Sequence, residues 1–309
     1  MNNGKIIVIG SSNTDMVVKT EKLPLPGETR LGGVFFMNAG GKGANQAVAV
    51  SRIGGNVTFV TKLGNDIFGK KAIEGFNKEN INTDYVFIDD RAPSGVALIM
   101  VDDGGENCIA VAPGSNSNLL PEDINRLSNF NEGGIILMQL EIPIETISFV
   151  IELAKKNGQK VIINPAPARV LDDELLSGLF LITPNETEAA LLTGVKVTDA
   201  ETASKAAAVL RSKGVQNIVI TMGSSGAYLC AGDVSKIIPA YPVKPIDSTA
   251  AGDVFNGALA VALSENKSFG DAVLFANKAA SISVTRLGAQ ASVPFRREIQ
   301  EALNEKLHL

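Results

Sequence analysis

The chain has 309 residues, 45% of them apolar and 20% charged, with a formal net charge of −5. That is the size of one large domain or two ordinary ones, and an acidic chain without a block of Lys or Arg argues against nucleic acid or an anionic membrane as the main partner. No apolar run approaches the roughly 20 residues of a membrane span, and the opening run stops at Gly10, short of a secretory signal, so a cytoplasmic protein is expected.

In chain order, short apolar runs alternate with helical patterns. KIIVIG (5–10) reads as a buried strand and GANQAVAVSRIG (43–54) as a helix that stops at Gly54-Gly55. VTFVTKLG (57–64) is the next strand and GKKAIEGFNKEN (69–80) the next helix. GIILMQLE (134–141) predicts a strand, 143–157 a helix, and KVIINPAP (160–167) another strand. LFLITPN (179–185) leads into a helix over 185–193, ASKAAAVLRSKG (203–214) is helical, and NIVITMG (217–223) is extended. From about 250 to 285 the pattern is mostly helical, and a last helix spans about 295–306. Near-continuous apolar strands between helices mean a parallel sheet covered on both faces, with right-handed crossovers.

Two stretches break this rhythm. Residues 14–38 alternate and turn at Pro24-Leu25-Pro26-Gly27, and residues 84–112 contain a hairpin turn from Asp102 to Asn107. These are antiparallel signals. They lie too far apart to form a linear domain, so the simplest packing puts both on one side of the main body as a small β-sheet. The expected organisation is one α/β domain over 1–309, with no low-complexity linker, repeat or charge run.

Cys108 and Cys230 stand in apolar runs without CxxC spacing, which reads as two buried small hydrophobes. The only histidine, His308, is next to the C-terminus. A Ser-His-Asp triad, a Cys-His pair and a histidine zinc site are thereby excluded. Proton transfer falls to Asp, Glu, Lys, Tyr or Cys.

Ligands of open α/β sheets bind beyond the carboxyl ends of the strands. Two common nucleotide signatures are missing there: Gly41-Lys42 is followed by Gly43 instead of the Ser or Thr of a P-loop, and GSSNTD after the first strand is not GxGxxG. The strongest local signal is AAGDVFNGAL (250–259). Unpaired N–H groups at a helix start attract anions, small residues allow close approach, and Asp253 is placed to take a proton from a neighbouring hydroxyl. Hydroxyl, phosphate and acid together suit phosphoryl transfer; the plainer reading is that Asp253 caps the helix. NAGGKGANQA (38–47) is a second glycine-rich helix entry, holding Lys42 and Asn45, or simply a tight turn. Asn13 and Asp15 in GSSNTD suit sugar hydroxyls, or an Asx turn. Glu141 ends the strand of MQLE. Asn185 and Glu188 in TPNETEA either cap a helix or hold magnesium through water. TMGSSGAYL (221–229) suits a phosphate or a hairpin. Five of these signals fall at strand ends on one side, and random turns would not sort acids and glycines that way.

These residues give the chain a resemblance, from about 5 to 300, to the ribokinase-like (PfkB) carbohydrate kinases: GGKGANQA, DSTAAGDVFNGAL, GSSNTD, LMQLE, NPAPA, ITPNETEA and GAQASVP stand in the family's order. The resemblance implies a three-layer α/β/α fold with a central, mostly parallel sheet. It also implies a β-sheet lid from segments 14–38 and 84–112, and a homodimer through that lid. It implies transfer of the ATP γ-phosphate to the ribose 5-hydroxyl with Mg2+, GGKGAN being what points to D-ribose. Position by position, it makes Asp253 the catalytic base and Ala250, Ala251 and Gly252 the anion hole. Asn13, Asp15, Gly41, Lys42, Asn45 and Glu141 would contact ribose. Asn185, Thr221, Gly223, Ser224, Gly226, Gly252 and Asn277 would contact the nucleotide. Glu188 with Asn185 would be the magnesium-associated pair. Asp247, Thr249, Ser283, Arg286, Gly288 and Ser292 would form a K+ site. The chain departs from the family at Ser248, where threonine is common, and at Ala291, where proline is common in the potassium loop. The alternatives are a kinase of the same fold for fructose, a 2-keto-3-deoxy sugar acid or a nucleoside, and a non-catalytic sugar-binding regulator.

Overall fold

Strand β1 (Lys5–Ile9) buries both its faces: Ile6 and Val8 enter one core, Ile7 and Ile9 the other. That two-sided burial is why the run reads as continuously apolar. The computed structural model describes residues 4–128, 130 and 133–304; His308 and the expected end of the last helix lie outside them.

The N-terminal half continues with β2 (Asn13–Lys19), β3 (Val34–Gly40), α1 (Lys42–Arg52), β4 (Asn56–Gly64), α2 (Ile67–Lys78), β5 (Asn82–Asp89), β6 (Gly95–Val101), β7 (Asn107–Ala112) and α3 (Pro121–Ile124). Next come β8 (Gly133–Met138), α4 (Ile144–Lys156), β9 (Lys160–Ile163), α5 (Asp173–Ser177), β10 (Leu181–Ile182), α6 (Glu186–Thr193), α7 (Ala200–Ser212) and β11 (Asn217–Thr221). The chain then passes through β12 (Ala227–Ala231), β13 (Val234–Ile238), α8 (Ala251–Ser264), α9 (Phe269–Ser283) and α10 (Arg296–Asn304).

Nine strands form one sheet in the order β13-β12-β11-β10-β9-β8-β1-β4-β5. It is parallel from β11 to β5, and only β12, which pairs antiparallel with β11 and β13, runs against the rest. One core contains buried residues of α1, α2, α8, α9 and α10, and the other those of α3 to α7. The result is the expected three-layer α/β/α body. α8 is buried without a break from Asp253 to Leu263, as an apolar helix wedged between a sheet and neighbouring helices must be.

A separate four-stranded sheet has the order β3-β2-β6-β7. β2 follows β1 across Gly10–Ser12, and β3 passes through Gly41 into α1. The sheet carries exposed apolar residues, including Phe35, Phe36, Leu98, Ile109 and Val111.

Three expectations need correction. The run at 84–90 does not join the small sheet; it is β5, the edge of the large one, paired in parallel with β4 as far as Gly64↔Asp89. An edge strand is only half-covered, so it alternates like an antiparallel strand. Cys108 is exposed, because β7 is exposed along its whole length, while Cys230 is buried as expected. Finally, the strands expected over 134–141 and 160–167 stop at Met138 and Ile163, which releases Gln139, Glu141 and Asn164 into loops.

Candidate active site

Both glycine-rich helix starts converge on one place. Gly43 presses on the end of β1, where a Cβ would lie 2.6 Å from the carbonyl carbon of Gly10. α8 crosses α1 as closely, since a Cβ on Gly257 would meet the Cβ of Ala49 at 2.5 Å. This approach brings Asn45 and Gln46 of α1 to Asp253 in the first turn of α8. Asn45 donates from Nδ2 to Oδ2 of Asp253 at 3.0 Å, and Gln46 donates from Nε2 to Oδ1 at 2.9 Å.

Asp253 is only 5% exposed, yet it lines a cavity of about 230 Å³. It does not cap its helix. The N-cap position is held by Ala250, at φ 60° in the left-handed region, without a side-chain cap. A non-glycine residue there costs roughly 1–2 kcal/mol, and such strain clusters where backbone is shaped for a ligand. The Ala251 N–H donates to the Ser248 carbonyl at 3.2 Å and that of Val254 to the Ala250 carbonyl at 2.9 Å. The N–H groups of Gly252 and Asp253 have no acceptor among the described residues. The Ala250 N–H is likewise without an acceptor among the described residues, so the available donors are the amides of Ala250, Gly252 and Asp253.

The opposite wall comes from the carboxyl ends of three neighbouring strands: Asn164 after β9, Thr183, Asn185 and Glu188 after β10, and Thr221 at the end of β11. Lys42 reaches in from α1. Burial alone would lower the Lys42 ammonium's pKa, but Asp253, Glu141, Glu188 and Asp15 outweigh it and raise the value. For Asp253, burial raises the carboxyl's pKa, while Lys42 and the amides of Asn45 and Gln46 pull it back. Lys42 and the two amides favour the ionised form, which is the form that accepts a proton.

A second cavity, of about 400 Å³, is bounded by Asn13, Asn116, Val111 and Glu141. Glu141 joins it to the first, because its Oε2 accepts the Lys42 backbone N–H at 3.0 Å and the Ser11 hydroxyl at 2.5 Å. Burial, and then the charge of Glu141, raise Asp15 to about 6, with Lys42 opposing. Asn116, which no sequence motif singles out, donates from Nδ2 to Oδ1 of Asn13 at 2.8 Å. That leaves the NH2 of Asn13 as its remaining polar face. Oδ1 of Asn45 is buried with no hydrogen-bond partner among the described residues, an acceptor that a sugar hydroxyl would satisfy.

The remaining expected residues are held by local contacts. Gly223 and Ser224 form the one-turn connection from β11 to β12, and Gly226 closes it by accepting the Met222 N–H at 2.8 Å. Asn277 is buried and directs its Nδ2 to the carbonyls of Ile238 and Pro239. Asn185 and Glu188 form a reciprocal capping box, with N–H to side-chain distances of 2.9 and 2.8 Å. One carboxylate oxygen of Glu188 is used in it, and no group of three His, Cys, Asp or Glu among the described residues could hold a metal. This donor set fits magnesium held by water and phosphate oxygens. Burial pulls the Asp247 carboxyl up, but the hydrogen bonds of Thr249 and Gly288 prevail and lower its pKa. Its two oxygens accept those N–H groups at 2.9 and 2.8 Å, tying two loops together. Ser283 and Ser292 turn their hydroxyls to local carbonyls, and Arg286 pairs with Glu298.

A doubly covered parallel sheet, with a buried acid beneath an uncapped helix start, defines a carbohydrate kinase. Residues 3–296 match the pfkB family carbohydrate kinase, and the chain belongs to that family. It is 45% identical to the ribokinase of Haemophilus influenzae over 96% of this chain and 98% of that one. It is 38% identical to a deoxyribokinase of Salmonella typhimurium over 97% of this chain and 98% of that one. The structure of Arabidopsis thaliana ribokinase complexed with ribose and ATP matches with a TM-score of 0.91 at 34% identity, covering 98% of this chain and 99% of that one.

Proposed function

We propose that this chain transfers the γ-phosphoryl group of ATP to the 5-hydroxyl of D-ribose, giving ribose 5-phosphate and ADP. The observation that carries the reading is Asp253, held by two amides at the wall of a cavity that it shares with Lys42 and the backbone amide of Gly252. Ribose lies between Asn13, Asp15, Gly41, Lys42, Asn45 and Glu141. The triphosphate runs from Thr221 and Asn185 toward Gly252, and Gly223, Ser224, Gly226 and Asn277 belong to the nucleotide side. The 5-oxygen attacks phosphorus as its proton passes to Asp253. A bond from that oxygen to phosphorus forms, the bond from phosphorus to the β–γ bridging oxygen breaks, and ADP leaves. The N–H groups of Gly252 and Asp253, with Lys42, meet the charge that spreads over the transferring group.

Glu188 and Asn185 would hold magnesium, which when bound would neutralise charge on the phosphates. Asp247, with the carbonyls of 249, 283, 286 and 288 and with Ser292, would hold a potassium ion, and Asp247 would thereby stiffen the loop that carries the helix start. The small sheet closes over the sugar, and its exposed apolar residues pair with a second copy of the chain. A sugar-acid kinase would want an arginine for the substrate carboxylate, and no arginine among the described residues lines either cavity. A non-catalytic sugar-binding protein would need neither the strained Ala250 nor the unpartnered amides.

The test is an ADP-release assay over ribose, 2-deoxyribose, fructose, a 2-keto-3-deoxy acid and a nucleoside, with phosphorus NMR of the product. Ribose should give the highest kcat/KM, about tenfold or more above 2-deoxyribose, since an orphaned buried polar group costs roughly 1–3 kcal/mol. A better acceptor would replace the sugar, and binding without turnover would remove the enzyme.

A further inference from the structure

Gln46 is fully buried on a helix whose other inward positions are mostly Ala and Val. A buried primary amide needs partners on both of its ends. On one end, its Oε1 accepts from Nε2 of Gln139 at 2.6 Å. On the other, its Nε2 donates both to Oδ1 of Asp253 at 2.9 Å and to Oδ1 of Asn164 at 3.1 Å. Turning the amide over would set its oxygen against the Asp253 carboxylate and its NH2 against the NH2 of Gln139. The orientation is thus locked from both sides.

The chain of contacts continues and closes. Asn164 donates from Nδ2 to the Thr183 carbonyl at 3.4 Å, and the Thr183 hydroxyl donates to Oδ1 of Asn256 at 2.6 Å. Asn256 donates from Nδ2 to the carbonyl of Gly252 at 2.8 Å, the residue before Asp253. The ring therefore holds the carboxylate at one end and the backbone beneath it at the other. Its members come from α1, α8 and the ends of β9 and β10.

Resting on the assignment of Asp253 as base, we infer that Gln46 is the positioning residue of this kinase. Its Nε2 fixes the rotation of the Asp253 carboxylate toward the acceptor hydroxyl, and Gln139, whose own Oε1 is buried without a partner among the described residues, supports the orientation that the carboxylate imposes on Gln46. Gln46 lines neither cavity. It acts on catalysis through another residue. Loss of its donor leaves the carboxylate held by Asn45 alone, free to rotate about that contact. A misplaced base lowers the rate without lowering sugar affinity, because near-attack geometry is steep in distance.

Three variants are compared with Asp253→Asn. Gln46→Glu keeps the shape and the acceptor for Gln139 but removes both donors and sets like charges together. Gln46→Met keeps the volume and removes the polarity. Gln139→Met leaves Gln46 in place and removes one of the contacts that orient it. For each, kcat and the ribose KM are measured with saturating ATP, ribose affinity by calorimetry, and folding by circular dichroism. The expected result is kcat lowered about 10–100-fold in Gln46→Met, with ribose KM and affinity within about threefold, and a smaller loss in the same direction in Gln139→Met. Gln46→Glu should be worse than Gln46→Met; a residue that only fills space would rank them the other way. If Gln46→Glu does not fold, the Met variants decide. Should Gln46→Met keep kcat within about threefold while Asp253→Asn loses it, the positioning role is wrong and the base stands. Turnover retained in Asp253→Asn would instead overturn the mechanism beneath it.

Discussion

The side chain of Asn45 donates to Oδ2 of Asp253 at 3.0 Å, joining two helix starts that lie 208 residues apart in the chain. The contact holds the acid in place whether or not its charge survives. Asp253→Asn should accordingly keep ribose affinity within a few fold and cut kcat by on the order of 10²–10⁴. Calorimetry with ribose and an ADP-release assay measure the two effects separately. Preserved turnover would take Asp253 out of the reaction.

Asp15 titrates near the working range. Burial, reinforced by Glu141, raises it from 3.8 to about 6. Ribose hydroxyls need its ionised form as acceptor, so ribose affinity should be flat above about pH 7 and weaken toward tenfold per unit below about 6. The stability of the sugar-free fold runs the opposite way. A raised carboxyl pKa contributes stability that is complete below 3.8 and is lost as pH rises through about 6. Asp15→Asn should abolish the trend in affinity and weaken that in stability, to which the raised carboxyls of Asp253 and Glu188 also contribute; titration calorimetry and thermal melts across that window decide.

Gly257 is where α1 and α8 come closest. A methyl there would sit 2.5 Å from the Cβ of Ala49, and overpacking of that kind costs about 1–3 kcal/mol. Gly257→Ala should lower Tm by several degrees, and should lower kcat because it parts Asn45 and Gln46 from Asp253. An unchanged Tm would mean that the helices have slack at this crossing.

Asp247 ties the loop before α8 to the one after α9 through Thr249 and Gly288. Titrating KCl at constant ionic strength should raise kcat in the parent chain, and Asp247→Ala should remove the response. A flat curve in the parent dismisses the monovalent-cation site.

Ile109 is 54% exposed on β7, amid other uncovered apolar side chains. If two copies meet through this sheet, the chain should sediment as a dimer, and Ile109→Glu should sediment as a monomer. A monomeric parent chain would end that proposal.

Much of this is legible in the sequence. Buried parallel strands are apolar runs, and β1, β4, β8 and β11 are readable as such. The two glycine-rich helix starts are visible because a close backbone approach demands small residues at fixed offsets. What escapes has weaker local signals. β5 alternates because an edge strand is half-covered, so it imitates a strand of the small sheet. Asn116, Asn164 and Asn256 are uncharged amides whose partners are distant in sequence. Gln46 offers one clue, a long polar side chain amid alanines and valines on a helix, but its partner Asp253 lies 207 residues away.

The strand β2 and the end of β3 supply Asn13, Asp15 and the peptide leading into Lys42, and they are also half of the small sheet. If that sheet closes over ribose, grip and enclosure share one stretch of backbone. The acceptor's identity and the speed at which the site shuts are therefore not independent traits. A substitution that retunes one will disturb the other.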